Sequence, residues 1–176
     1  LLVGDHDNRT VQLWLDIADG SLMFDPRWPP IRELQAQLLL DDSALSIEGQ
    51  RGLIYQSTVL RNIEGRFDSA EDEWLRLRGD AYAGAPDVLR LLTETSLRDQ
   101  LGAGFDNWQA KGRLRGEVEI DVGLKSRQVK PTIQALMSDL VLQPGDLGLE
   151  ITQLEGQLQF DEGALSARRL SGQVFG

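Results

Sequence analysis

Chemistry in a protein needs nucleophiles, proton carriers or metal ligands held at fixed spacing, and this chain offers few. Its single histidine is His6, within Gly4-Asp5-His6-Asp7-Asn8. The flanking carboxylates could ligate a cation, but the ligand pattern of a calcium loop does not continue beyond them. The run reads as a solvated turn. There is no cysteine, so thiolate nucleophiles and cysteine-bearing zinc sites are excluded. No G-x-S-x-G elbow, P-loop or dinucleotide fingerprint after a strand is present. Carboxylates are abundant, and a pair of them could serve glycoside hydrolysis. Yet Asp41-Asp42 and Asp161-Glu162 fall at equivalent points of an internal repeat, which assigns them to turns. The acidic run Asp68-Ser69-Ala70-Glu71-Asp72-Glu73 reads as a solvated loop. We expect no enzyme, no metal site and no cofactor.

With no catalytic constellation to position, the informative residues are those that build surfaces. The chain carries 28 Asp and Glu against 18 Lys and Arg, a net charge of -10. Such a domain repels phosphate backbones, so no nucleic acid is expected as partner. Peripheral docking on anionic headgroups is disfavoured for the same reason, although an apolar groove could still accept acyl chains. No stretch approaches the roughly 18 apolar residues of a membrane span. The chain begins Leu1-Leu2-Val3 and stops inside an alternating apolar pattern at Gln173-Val174-Phe175-Gly176. We read it as a segment of a longer protein.

The dominant signal is period two. From Arg113 to Val122 every even position is apolar or Gly, and every odd one is charged. Side chains alternate faces in a strand, so this segment has one dry and one wet face. Residues 75–81 and 34–40 repeat the pattern. Further strands are expected at Val11–Ile17, Ser21–Asp25, Leu45–Glu48, Leu53–Leu60, Asn62–Phe67, Thr132–Met137, Leu140–Leu142, Leu149–Thr152, Leu154–Phe160, Ala164–Arg168 and Ser171–Phe175. Short polar turns, among them Ala18-Asp19-Gly20 and Asp161-Glu162-Gly163, favour hairpins and an antiparallel meander.

One interruption is helical. Pro86 suits a first helical position, Asp87 favours the positive end of the dipole, and Val88, Leu91 and Leu92 form a helical stripe. Ser96 with Asp99 has the spacing of a capping box that would start a short second helix ended by Gly102. The pair reads as a lid over one end of the sheet, between about residues 86 and 102. Trp28, in the rigid Trp28-Pro29-Pro30 turn, is expected to plug the end of the core. Residues 34–46 also align without gaps on residues 154–166, with seven of 13 positions identical. The repeated unit is strand, acidic turn, strand, as in a sheet that extends by adding hairpins.

Phe24-Asp25-Pro26-Arg27-Trp28-Pro29-Pro30-Ile31, Leu34-Gln35-Ala36-Gln37-Leu38 and Leu45-Ser46-Ile47 together resemble the YhdP branch of the AsmA-like proteins. Leu77-Arg78-Gly79-Asp80-Ala81-Tyr82-Ala83-Gly84, the helix from Asp87 to Leu92, and Thr95-Ser96-Leu97 follow in the branch's order, with Ser96 where that pattern has proline. The resemblance runs from about residue 11 to the end. It implies the periplasmic part of a protein anchored in the inner membrane of a Gram-negative bacterium. It further implies a long β-groove with an apolar trough, phospholipid transport toward the outer membrane, maintenance of the outer-membrane barrier, and no catalytic residues.

The expected fold is therefore mainly β: a curved antiparallel meander forming an open, taco-like groove. A first strand set covers residues 1–84, a helical insertion 85–103 and a second strand set 104–176. Leu38, Leu40, Leu77, Val118, Ile120, Leu158 and Phe160 are each on the dry side of a strand and are expected to line the groove. Phospholipid acyl chains are the expected partner. A scaffold that binds other envelope proteins is the alternative. The terminal strands are expected at sheet edges, where unpaired backbone would promote edge-to-edge self-association.

Overall fold

The computed structural model describes residues 11–68 and 73–176. The His6 run and positions 69–72 of the acidic loop lie outside the described residues. The strands are β1 (Gln12–Leu22), β2 (Ile31–Asp41), β3 (Ala44–Ile54), β4 (Thr58–Asp68), β5 (Trp74–Gly84), β6 (Gln109–Gly123), β7 (Val129–Gln143), β8 (Glu150–Asp161) and β9 (Ala164–Phe175). They form one sheet in sequence order, each antiparallel to the next, with β1 and β9 as its edges. The sheet is open: β1 and β9 do not pair with each other. Helices α1 (Ala85–Glu94) and α2 (Leu97–Leu101) stand between β5 and β6, followed by a 3-10 turn over Gly102–Phe105.

Most strands are longer than the periodicity suggests, and the reason is physical. Thr132–Met137 and Leu140–Leu142 are one strand, β7, interrupted by a register shift containing Asp139 at φ 56°. The same holds in β8 around Gln153 (φ 51°) and in β9 around Arg169 (φ 54°). In β1 the expected Ala18-Asp19-Gly20 turn is a pair of register shifts inside a continuous strand. Each bulge inserts one residue, flips the alternation and makes one strand look like two. The reverse error occurs at Leu53–Leu60, where Tyr55 (φ 51°) turns the chain between β3 and β4 without glycine or proline to announce it.

Bulges bend strands and add twist. Adjacent strands in any sheet also rotate by about 20–25°, so eight successive pairings accumulate about 160–200°. That rotation explains why the β1–β2 connection meets the other end of the meander. Trp28 belongs to one buried cluster with Leu92, Leu97 and Phe160, with Phe24 and Leu165 packed against it. Trp28 thus plugs the core as expected. Its indole N–H donates to the Ser96 hydroxyl at 3.0 Å. Ser96 is the N-cap of α2 but makes no side-chain cap bond. The Thr95 hydroxyl accepts from the Leu97 N–H instead, at 3.2 Å.

The repeat is also structural. Asp41 pairs with Ala44 across the β2–β3 turn, and Asp161 with Ala164 across the β8–β9 turn. The second acid of each turn adopts the left-handed conformation, Asp42 at φ 48° and Glu162 at φ 47°.

Helix α1 is tied to the sheet by Asp87, only 4% exposed. Its Oδ2 accepts from the Ser57 N–H (2.9 Å), the Ser57 hydroxyl (2.8 Å) and the Thr58 hydroxyl (3.0 Å). Burial pushes this carboxyl up, but the bonds from Ser57 and Thr58, with the Arg90 charge, outweigh it and hold the group below 3.8. A carboxyl lowered by folding contributes stability above its unfolded value, and that contribution disappears as pH falls through the folded value. Asp87→Ala strands three donors and is expected to cost about 2 kcal/mol at neutral pH. Urea denaturation should show the cost shrinking as pH falls through the lowered folded-state value, where the carboxyl of the parent is itself becoming protonated.

Candidate functional site: an apolar trough

The dry faces of the strands converge on one interior. Ile31, Leu34, Ala36, Ile47, Leu60, Ile63, Leu75, Leu77 and Val122 form a buried cluster across β2 to β6. Ala85, Leu114, Leu140 and Leu154 form another under α1. Between them runs an apolar cavity of about 130 Å³ whose lining includes residues of β2 through β9, of both helices and Leu22 of β1. Thr58, Arg78 and Arg115 are the only polar side-chain types in that lining. Arg78 and Arg115 belong to the wet face by strand alternation.

Glycine shapes the wall. Gly49 faces Ile63 and Ile47 faces Gly65 across β3–β4, and Gly65 faces Leu77 on β5. A Cβ on Gly65 would stand 2.9 Å from Ile47 Cβ and 3.0 Å from Leu77 Cδ2. The branched side chains therefore fill the space the glycines leave, and the wall interdigitates without bulk from both sides.

Leu77, Val118, Ile120, Leu158 and Phe160 line the same cavity. Leu38 is half-buried and packs against the β2–β6 cluster. Leu40 shares the face of Leu38 but stands near the end of β2 and is 40% exposed. Sequence reasoning placed the helices and Trp28 at one end of the sheet and missed how far they reach into the trough. Phe24, Trp28, Leu91, Leu92 and Leu97 also line the cavity, so the helices fill the trough rather than only capping its end. Leu97 is wholly buried and Phe160 is 2% exposed.

The β1–β2 connection is locked in place from Asp25. Its carboxylate accepts from the Arg27 N–H at 2.7 Å and from the Arg27 guanidinium at 3.1 and 2.8 Å. The bond from the Arg27 side chain is the largest influence holding the Asp25 carboxyl below its ordinary value, against its burial. The Asp25 carbonyl accepts from the Trp28 N–H at 3.0 Å. Together these bonds fix the angle at which Trp28 enters the trough.

Chemically the trough can hold hydrocarbon and little else. Among the described residues that line it, there is no convergent acid, base or nucleophile. Among the described residues, no group of three or more His, Cys, Asp or Glu could hold a metal ion. No helix among them is long and apolar enough to cross a membrane. The protein-family model described as YhdP protein matches residues 4–176. Comparison with curated proteins and with solved structures gave no match.

Proposed function

This chain belongs to the YhdP family, and from that premise we propose that it is a non-enzymatic segment of an envelope lipid-transport protein. Its apolar trough receives phospholipid acyl chains on their way to the outer membrane, and so serves the barrier that membrane forms. The family supports a periplasmic setting and an inner-membrane anchor elsewhere in the protein. The observation that carries the reading is the cavity's lining: side chains from nearly every strand present hydrocarbon to one interior, which rewards apolar burial without asking for directional contacts.

The test is capture. Photo-crosslinking residues at Val118 and Leu158, in the trough, are expected to take phospholipid in cells, whereas one at Glu119, on the wet face of β6, is not. Native mass spectrometry of the purified chain should show co-purifying lipid. Equal capture at Val118 and Glu119 would reject the trough as the lipid path.

A second reading, a scaffold that recruits other strands, is favoured by the edges. Leu13 (57%), Trp14 (67%) and Leu15 (53%) are exposed on β1, and Val174 (64%) and Phe175 (55%) on β9. The edges differ in charge: β1 carries Asp16 and Asp19 and no cation, while β9 carries Arg168 and Arg169 and no carboxylate. Association between like β1 edges is expected to strengthen with salt, as repulsion is screened. A β1-to-β9 contact is expected to weaken. Analytical ultracentrifugation across a salt series distinguishes the two, and a monomer at every salt concentration rejects both.

A further inference from the structure

Outside the trough, the wet face of the sheet is organised by charge. Along β5 and β6 the register sets Arg78 opposite Glu119 and Arg76 opposite Asp121, and Asp121 faces Lys130 on β7. Cross-strand pairs of opposite charge are the ordinary way a solvated sheet face is stabilised. The other half of β6 departs from this. Arg113 faces Gly84 and Ser138, and Arg115 faces Tyr82 and Leu136. Neither arginine has an ion pair among the described residues, in a chain of net charge -10.

The last strand adds two arginines, Arg168 beside Asp80 and Glu117 and Arg169 beside Arg113 and Arg115. Strict alternation would send Arg168 and Arg169 to opposite faces. The bulge at Arg169, φ 54°, lets both line the wet side, in two adjoining concavities that share Tyr82, Arg115, Leu136 and Gln157. The larger concavity, about 1020 Å³ and open, is lined by Arg113, Arg115 and Arg169 against one carboxylate, Glu155. Gly156, at φ 151°, lies in its floor, where a Cβ would stand 3.0 Å from the Arg168 carbonyl oxygen. Tyr82 and Leu136 are 50% and 42% exposed there, and the Arg61 guanidinium lies 5.8 Å from the Tyr82 ring centre.

We propose that this concavity binds a phosphate-bearing ligand through Arg113, Arg115 and Arg169. A guanidinium offers a planar fork of donors that matches phosphoryl oxygens, and three forks with one opposing carboxylate leave net positive charge for the ligand to neutralise. Local geometry outweighs the domain's overall charge, because at physiological salt a charge beyond about 8 Å is largely screened. Arg113 and Arg169 are outside the trough lining, and Arg115 belongs to the wet face by strand alternation, so the site stands whether or not the trough takes acyl chains. The exposed Tyr82 and Leu136 beside the arginines would receive the first carbons of a lipid ester. A soluble phosphate would leave them in water.

The test titrates the folded chain with inorganic phosphate, glycerol 3-phosphate and dihexanoyl phosphatidylglycerol, following arginine side-chain signals by NMR. The expected result is saturable shifts at Arg113, Arg115 and Arg169. Arg115→Gln or Arg169→Gln should weaken binding about tenfold each, while Arg51→Gln on β3, where Arg51 pairs with Glu33 of β2, changes nothing. Tighter binding of the lipid than of glycerol phosphate, reduced selectively by Leu136→Ser, identifies a headgroup. Equal binding identifies a soluble phosphate. Absence of saturable shifts with all three probes, or affinity in both glutamine variants equal to that of the parent with backbone spectra unchanged, overturns the proposal.

Discussion

Phe160→Ala is expected to remove about 3–5 kcal/mol of folding stability. Phe160 is 2% exposed and shares a cluster with Trp28, Leu92 and Leu97. Those four residues come from three parts of the chain that hydrogen bonding within the sheet does not join: β8, the β1–β2 connection and the helical insertion. Most of the sheet is held by neighbour-to-neighbour pairing, which survives the loss of one side chain. The packing of the β1–β2 connection and the helical insertion against β8 has no backbone ladder and rests on this cluster and the Trp28–Ser96 bond. The cavity left by Phe160 cannot collapse easily, because Trp28 is pinned from behind by the Asp25–Arg27 bonds. The measurement is a urea transition, with the midpoint lowered and the slope unchanged. Leu40→Ala, on the same dry face but 40% exposed, should cost under about 1 kcal/mol. Equal losses at the two positions would mean that the cluster does not hold that packing.

That contrast also marks how far the sequence was legible. Period-two patterning located the strands, the dry face and the antiparallel order, because alternation is a direct record of which side chains leave water. It could not locate Asp139, Gln153 or Arg169 as bulges, since a bulge erases the alternation by which a strand is recognised and these residues carry no turn signal of their own. It could place Leu158 and Phe160 on one face yet not separate them from Leu40, because burial depends on what lies across the trough. The covering residues Leu91 and Leu92 belong to a helical stripe, but the stripe does not say against which part of the sheet it lies. Trp28 was legible in type and not in partner: the residues it meets in α2 and β8 are brought to it by twist accumulated over the whole sheet. Arg113 and Arg115 were read only as charged positions of an amphipathic strand. That neither has an ion pair among the described residues is a property of register.

Leu97→Ala is expected to destabilise the empty chain by about 2–5 kcal/mol and, unlike Phe160→Ala, to be repaired by lipid. Leu97 is fully buried and lines the trough cavity from the helical side. In the parent that cavity is about 130 Å³, close to the roughly 150 Å³ that holds a benzene-sized molecule and well short of a whole acyl chain. On the proposed reading, a long chain enters only where the helical insertion yields some of its volume, and the helix side chains occupy the place that hydrocarbon would take. Shortening Leu97 opens that place without altering the strands. A ligand that binds the folded state stabilises it by mass action, by about 2.7 kcal/mol at a hundredfold excess over its dissociation constant. Thermal unfolding of Leu97→Ala with and without short-chain phospholipid should thus show a larger upward shift than the parent shows. Phe160→Ala should respond less, because it loosens the closure that holds the helices against the sheet as well as enlarging the cavity. A core that merely packs against itself predicts the opposite: both truncations destabilise and lipid restores neither. The comparison separates a trough that the helices occupy in place of hydrocarbon from a closed interior that has no further occupant.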